Sequence, residues 1–161
     1  MNVRNIAVVG LGTLGTQIAI QAAAYGHRVS GFDPDGSAFQ RMQTKVREAM
    51  RMTRKGPTFP IDDWEQHAAK VEVHKDLASA LREADLVIEV VPEDLAIKRA
   101  VFAELDRLAP REAILATNSS TMPVSRMESA TTRPARCVNI HFYQPAVGMN
   151  MADVMGGTST T

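Results

Sequence analysis

The sequence predicts an open α/β fold with a doubly wound, mainly parallel sheet. Three observations carry this. The stretch "NIAVVGLGTLG" runs from a β-branched apolar segment straight into a glycine-rich turn. Strand-like and helix-like segments then alternate along most of the chain. Short connections between them imply parallel strands, right-handed crossovers and helices on both faces of the sheet.

In order along the chain, residues 5–9 read as the first strand, ending at Gly10. Leu14 to Tyr25 is alanine-rich and unbroken, as a helix requires, and Gly26 supplies the stop. "RVSGFD" (28–33) is the second strand. Further on, "KVEVH" (70–74) is a strand, "DLASALREA" (76–84) a capped helix and "DLVIEVV" (85–91) a strongly apolar strand. The helix "DLAIKRAVFAELDRLA" (94–109) and the strands "AILATN" (113–118) and "RCVNIHF" (136–142) continue the rhythm. The interval from Asp33 to Lys70 is too long for one crossover helix. Residues 37–55 and 61–69 read as helices broken between Gly56 and Pro60, which predicts an inserted helical hairpin over 37–69. Residues 1–157 are therefore expected to form one domain, with 158–161 a linker or a cut end.

Composition narrows the function. A chain of 161 residues can bury a core as a single domain. Eighteen basic residues balance eighteen acidic ones, which argues against nucleic acid or an anionic membrane as the main partner. The single cysteine, Cys137, cannot form an internal disulfide and suits a reducing cytoplasm. No apolar run approaches the roughly 20 residues needed to cross a bilayer. No signal-peptide pattern opens the chain, and a soluble cytoplasmic protein without a metal site is expected.

"GLGTLG" (Gly10, Leu11, Gly12, Thr13, Leu14, Gly15) sits between a strand and a helix. In that context Gly10 serves the tight turn, Gly12 the approach of a pyrophosphate and Gly15 close helix–strand packing. Asp33 ends the second strand eighteen residues after Gly15. A carboxylate there accepts hydrogen bonds from both hydroxyls of an adenosine ribose and repels a 2′-phosphate, so NAD is expected rather than NADP. "PEDLAIK" places Glu93 and Lys98 around a helix start after the fourth strand. That spacing is also the pattern of ordinary first-turn helix charge. "ATNSSTMP" ends the fifth strand with Asn118, Ser119 and Ser120, suited equally to a ligand in the crevice or to turn capping. His141 ends the last strand in "NIHF", and Asp153 is the only carboxylate in the last 25 residues. A histidine becomes a base candidate when a carboxylate can fix its tautomer, although a lone one in an apolar segment is more often core. Lys45, Arg47, Arg51, Arg54 and Lys55 form a basic cluster on the hairpin, either a solvated face or a landing site for a polyphosphate.

Taken together, "GLGTLGTQIAIQAAAYGHRV", Asp33, "ADLVIEVVPEDLAIKRAVFAELDRLAP", "ATNSST" and "HFYQP…MADVM" resemble the NAD-binding domain of the L-3-hydroxyacyl-CoA dehydrogenase family. The resemblance covers essentially the whole chain. It implies a Rossmann-type domain with NAD as cofactor and an acyl-CoA as substrate. Glu93 and Lys98 match residues on the nicotinamide-ribose side of NAD, and Asn118 matches one near the nicotinamide and the substrate. Ser120 matches the serine that bonds the reacting C3 oxygen, and His141 matches the general base. Asp153 falls where the family usually has a glutamate that orients the imidazole. The hairpin helps to hold coenzyme A in that family, which makes Lys55 a substrate-binding candidate. Gln144 stands where the family usually has asparagine, and Asn150 where a lysine is common. In the family a helical second domain follows, closing the cleft and forming the dimer interface. Without it, this chain is expected to bind cofactor with little or no turnover. Relatives acting on carnitine, gulonate or other β-hydroxyacids, and a non-catalytic NAD-binding module, are the alternatives.

Overall fold

A computed structural model describes residues 2–53 and 56–161. Arg54 and the substrate-binding candidate Lys55 lie outside the described residues. Among the described residues, seven strands form one sheet: β1 (Asn5–Val9), β2 (Arg28–Phe32), β3 (Val71–Val73), β4 (Leu86–Glu89), β5 (Ile114–Thr117), β6 (Cys137–Phe142) and β7 (Ala152–Gly156). Their order is β3-β2-β1-β4-β5-β6-β7. All adjacent pairs are parallel except β6 with β7. The order reverses between β1 and β4, and the carboxyl ends of the strands at such a reversal form a ligand crevice.

Strand alternation sorts the core into two layers. Ile6 and Val8 of β1 point into one cluster, while Ala7 and Val9 point into the other. The first cluster is covered by α1 (Thr13–Ala24), α2 (Ala38–Arg51) and α3 (Trp64–Ala68). The second is covered by α4 (Leu77–Leu81) and α5 (Leu95–Leu108). Strands buried on both faces read as near-continuous apolar runs, which is why "LVIEVV" stood out in the sequence.

The stretch 37–69 does form two helical segments, α2 and α3, the second preceded by a 3-10 turn at Ile61–Asp63. They lie against α1 and share its core. Phe39, Val46, Met50 and Trp64 are buried there, and the Trp64 indole donates to Gln43 (3.1 Å). Observed elements are mostly shorter at their ends than the sequence suggests. The helix expected at 76–84 spans only Leu77–Leu81, with Asp76 accepting from the Ser79 N–H as its cap (2.8 Å).

The strand β7 is absent from the sequence-based expectation. It follows a short helix, α6 (Ala146–Met149), and returns antiparallel along β6. Beyond it, the Thr160 hydroxyl donates to the Cys137 carbonyl (2.6 Å) and the Thr161 N–H to the Ala135 carbonyl (3.2 Å). Residues 158–161 thus lie against the domain.

Candidate functional site

The glycine turn connects β1 to α1, and its geometry separates three roles. Gly10 has φ +97, and a Cβ there would lie 2.6 Å from the Val90 carbonyl oxygen. A Cβ at Gly15 would lie 1.8 Å from the Gly10 carbonyl oxygen, so helix and strand approach too closely for any side chain. A Cβ at Gly12 would meet nothing within 4 Å. The fold itself therefore makes no demand for glycine at 12, and the space above the loop is open to a ligand.

Gly12 is the N-cap of α1, so no side chain caps the first amides, and no acidic residue occupies the first turn. The amides there are available to an anion at the positive end of a 12-residue helix. Leu11 is the exception in the motif: its side chain is buried and its N–H donates to Asp33 Oδ2 (2.8 Å). The other Asp33 oxygen accepts from the Asp35 N–H (2.9 Å). Asp33 thus holds the turn from the end of β2 and keeps lone pairs on both oxygens for ribose hydroxyls. Thr13 is exposed, and its hydroxyl has only a distant contact to the Met42 sulfur (3.7 Å). Open space at Gly12, uncapped amides and Asp33 together fit a dinucleotide.

The ends of β4, β5 and β6 build the second half of the site. A cleft of about 430 Å³ is lined by Leu14, Glu93, Asn118, Ser120 and His141, five residues singled out from the sequence. Tyr143 and Gln144 also line it. Asn118 is buried at the end of β5, and its Oδ1 accepts the Phe142 N–H (2.9 Å), which ties β5 to the strand that carries His141. Ser120 is exposed beside it.

Lys98 lies behind the cleft, 1 % exposed, against a carboxylate that sequence reasoning missed. Glu89, at the end of β4, is fully buried. Its Oε1 accepts from the Lys98 ammonium (2.8 Å) and the Val91 N–H (2.7 Å), and its Oε2 accepts from the Thr117 hydroxyl (2.8 Å). Lys98 also donates to the Val91 carbonyl (3.2 Å) and pairs with Glu93 (3.2 Å). A buried ion pair is tolerable only when satisfied in this way. The readable signal was a glutamate inside an apolar strand of a two-faced sheet, with a lysine on the next helix. Glu93 further accepts hydrogen bonds from the Ser119 and Thr121 hydroxyls. Burial opposes ionisation of Glu93, but those bonds and the Lys98 charge outweigh it and hold its carboxyl below the ordinary value of 4.5.

His141 and Asp153 are directly opposite each other across β6 and β7. Their side chains leave the same face, with Cβ atoms about 5 Å apart for such a pair. The Asp153 carboxylate, however, accepts its hydrogen bond from the Tyr143 hydroxyl (2.7 Å). No hydrogen bond joins Asp153 to the imidazole among the described residues. Asn150, in place of a lysine, accepts from the Gln21 amide (2.7 Å) and donates to the Tyr25 hydroxyl (3.1 Å), anchoring the end of α6 to α1.

Among the described residues no helix is long and apolar enough to cross a membrane, and no cluster of three metal-ligating side chains occurs. The family model of the 3-hydroxyacyl-CoA dehydrogenase NAD binding domain matches residues 5–161. The chain is 33 % identical over 160 residues to 3-hydroxyadipyl-CoA dehydrogenase of Escherichia coli (strain K12), covering 99 % of this chain and 34 % of that protein. It is 30 % identical over 158 residues to the mitochondrial hydroxyacyl-coenzyme A dehydrogenase of Sus scrofa, covering 95 % and 50 %. A diketoreductase of known structure superposes with a TM-score of 0.88 at 34 % identity, over 99 % of this chain and 57 % of that one. The chain thus spans from a third to half of the length of these two curated relatives. With the family model matched from the first strand to the last residue, on a mainly parallel, doubly wound sheet, this chain belongs to the NAD-binding domains of the 3-hydroxyacyl-CoA dehydrogenase family.

Proposed function

We propose that the chain is the cofactor-binding half of an NAD-dependent dehydrogenase that oxidises the 3-hydroxyl of an L-3-hydroxyacyl-CoA to the ketone. The observation that carries this reading is the gathering of Leu14, Glu93, Asn118, Ser120 and His141 around one cleft beside the glycine turn. Bound NAD supplies the redox chemistry by accepting a hydride. The chain's own residues do the rest. The α1 amides and Gly12 hold the pyrophosphate, and Asp33 accepts from the adenosine ribose. Glu93, fixed by Lys98, bonds the second ribose, and Asn118 lies where the nicotinamide and substrate meet. Ser120 donates to the C3 oxygen while His141 takes the hydroxyl proton. Asp153 stabilises the imidazolium so formed. A following helical domain closes the cleft and forms the dimer, and an acyl-CoA is the substrate partner. The buried free thiol of Cys137 is consistent with a cytoplasmic setting.

The similarity to a diketoreductase favours a second reading, in which the reacting hydroxyl or carbonyl compound is not a CoA thioester. Isothermal calorimetry with NAD and NADP tests the cofactor assignment. NAD binds and NADP binds at least about tenfold more weakly, a difference of about 1.4 kcal/mol. Equal affinity for the two would overturn the role given to Asp33. NADH formation from a short 3-hydroxyacyl-CoA against a simple β-hydroxyketone, in the chain extended by its helical domain, separates the two substrate readings.

A further inference from the structure

The pairing of β6 with β7 continues one step beyond the strand end, where the Tyr143 N–H donates to the Met151 carbonyl (3.1 Å). Because side chains alternate, His141, Tyr143 and Asp153 share one face of the sheet. The Tyr143 ring packs against the His141 ring, with centroids 5.2 Å apart and planes at 51°. Its hydroxyl donates to Asp153 Oδ2 at 2.7 Å, and the residue lines the cleft together with His141, Ser120 and Glu93.

We propose that Tyr143 is a positioning residue: its hydroxyl holds the Asp153 carboxylate and so sets how much of that charge reaches the His141 imidazole. The inference rests on the reading of His141 as the base. Aspartate is one methylene shorter than glutamate, so a carboxylate at 153 has a reduced reach from its own strand. The phenol beside it offers a neutral donor that a phenylalanine could not. A donor bonded to a carboxylate draws its charge towards itself and fixes its direction. The result is a Tyr143–Asp153–His141 unit in place of a histidine–carboxylate pair. The bond is felt at the tyrosine too. The hydrogen bond to Asp153, then the charge of that carboxylate, pushes the Tyr143 hydroxyl above its ordinary value of 10. One other titratable group lines the same cleft among the described residues: Glu93, already engaged by Lys98, Ser119 and Thr121.

The test needs no turnover. Histidine C–H resonances are titrated by NMR, and tyrosine absorbance is titrated in alkali, in the unsubstituted chain, Tyr143→Phe and Asp153→Asn. The chain has four histidines and two tyrosines, so His141→Ala and Tyr143→Phe assign the relevant signals. In Tyr143→Phe the released carboxylate favours the imidazolium, and the His141 midpoint rises relative to the unsubstituted chain. In Asp153→Asn the His141 midpoint falls, and the Tyr143 midpoint falls towards 10. A His141 midpoint unchanged by Tyr143→Phe would overturn the positioning role. A Tyr143 midpoint unchanged by Asp153→Asn would overturn the bond itself. Failure to bind NAD in calorimetry would instead remove the cofactor reading and leave these titrations as they are, so the two failures are distinguishable.

Discussion

A Cβ at Gly15 would collide with the Gly10 carbonyl oxygen, whereas a Cβ at Gly12 would meet open space. Two glycines of one motif therefore stand under different constraints: packing at 15, and none from the fold itself at 12. Gly15→Ala is expected to lower stability by about 3 kcal/mol, through forced separation of β1 and α1. Gly12→Ala is expected to cost under about 1 kcal/mol, since its backbone lies in an extended region open to alanine. It should nonetheless weaken NAD binding at least about tenfold, because the new methyl occupies the approach of the pyrophosphate. Urea unfolding and calorimetry on both variants check this. A Gly12→Ala chain that binds NAD as well as its parent would show that the open space is not the cofactor's path. The tight turn and the close packing at Gly15 were legible in the sequence, because the residues that make them are adjacent in the chain.

Among the elements, β4 and α5 are joined by the most stringent electrostatic contact. Glu89 and Lys98 are buried together, and removing one partner strands a charge in the core. Lys98→Met is expected to destabilise by about 3–5 kcal/mol. The double variant Glu89→Gln with Lys98→Met should recover part of that loss, since both charges are then gone. A denaturation cycle over the four chains measures the coupling, and simple additivity would mean that the pair is not coupled. The Lys98 variant should also weaken NAD binding by freeing Glu93. Glu89 is masked in the sequence, because the charges at the start of α5 point forward along the loop to Glu93, while the decisive partner lies back in the strand. β7 is hidden for a different reason. Its residues are mostly exposed and show no clean alternation, so only its pairing with β6 defines it as a strand.

For the whole molecule, several carboxylates tie distant segments and are held below their ordinary values. Asp85 accepts from the Asn5 and Arg4 amides, which lowers it and pins the start of β1. Burial works against Asp106, but bonds from Thr132 and Arg133 prevail and lower it. Glu93 is lowered as described above. A carboxyl group depressed in the folded state stabilises it above the unfolded-state value and loses that contribution as pH falls through the folded value. The ordinary values here are 3.8 for Asp85 and Asp106 and 4.5 for Glu93. The urea midpoint should therefore hold level as these groups stay ionised from pH 7 to about 5, and decline below about 4.5. A midpoint that rose on acidification would contradict these assignments. By itself the sequence determined the alternating strands and helices, the inserted helical pair, the glycine turn with Asp33, and the residues that gather at the cleft. Those features are written in short-range periodicity and in turn chemistry, which a linear chain displays directly. Tertiary structure alone decided that a seventh strand extends the sheet at its β6 edge, that Lys98 belongs to Glu89, and that Asp153 is held by Tyr143. Each depends on cross-strand register or on burial between elements, and partner choice there is set by which donor the packed backbone brings within 3 Å.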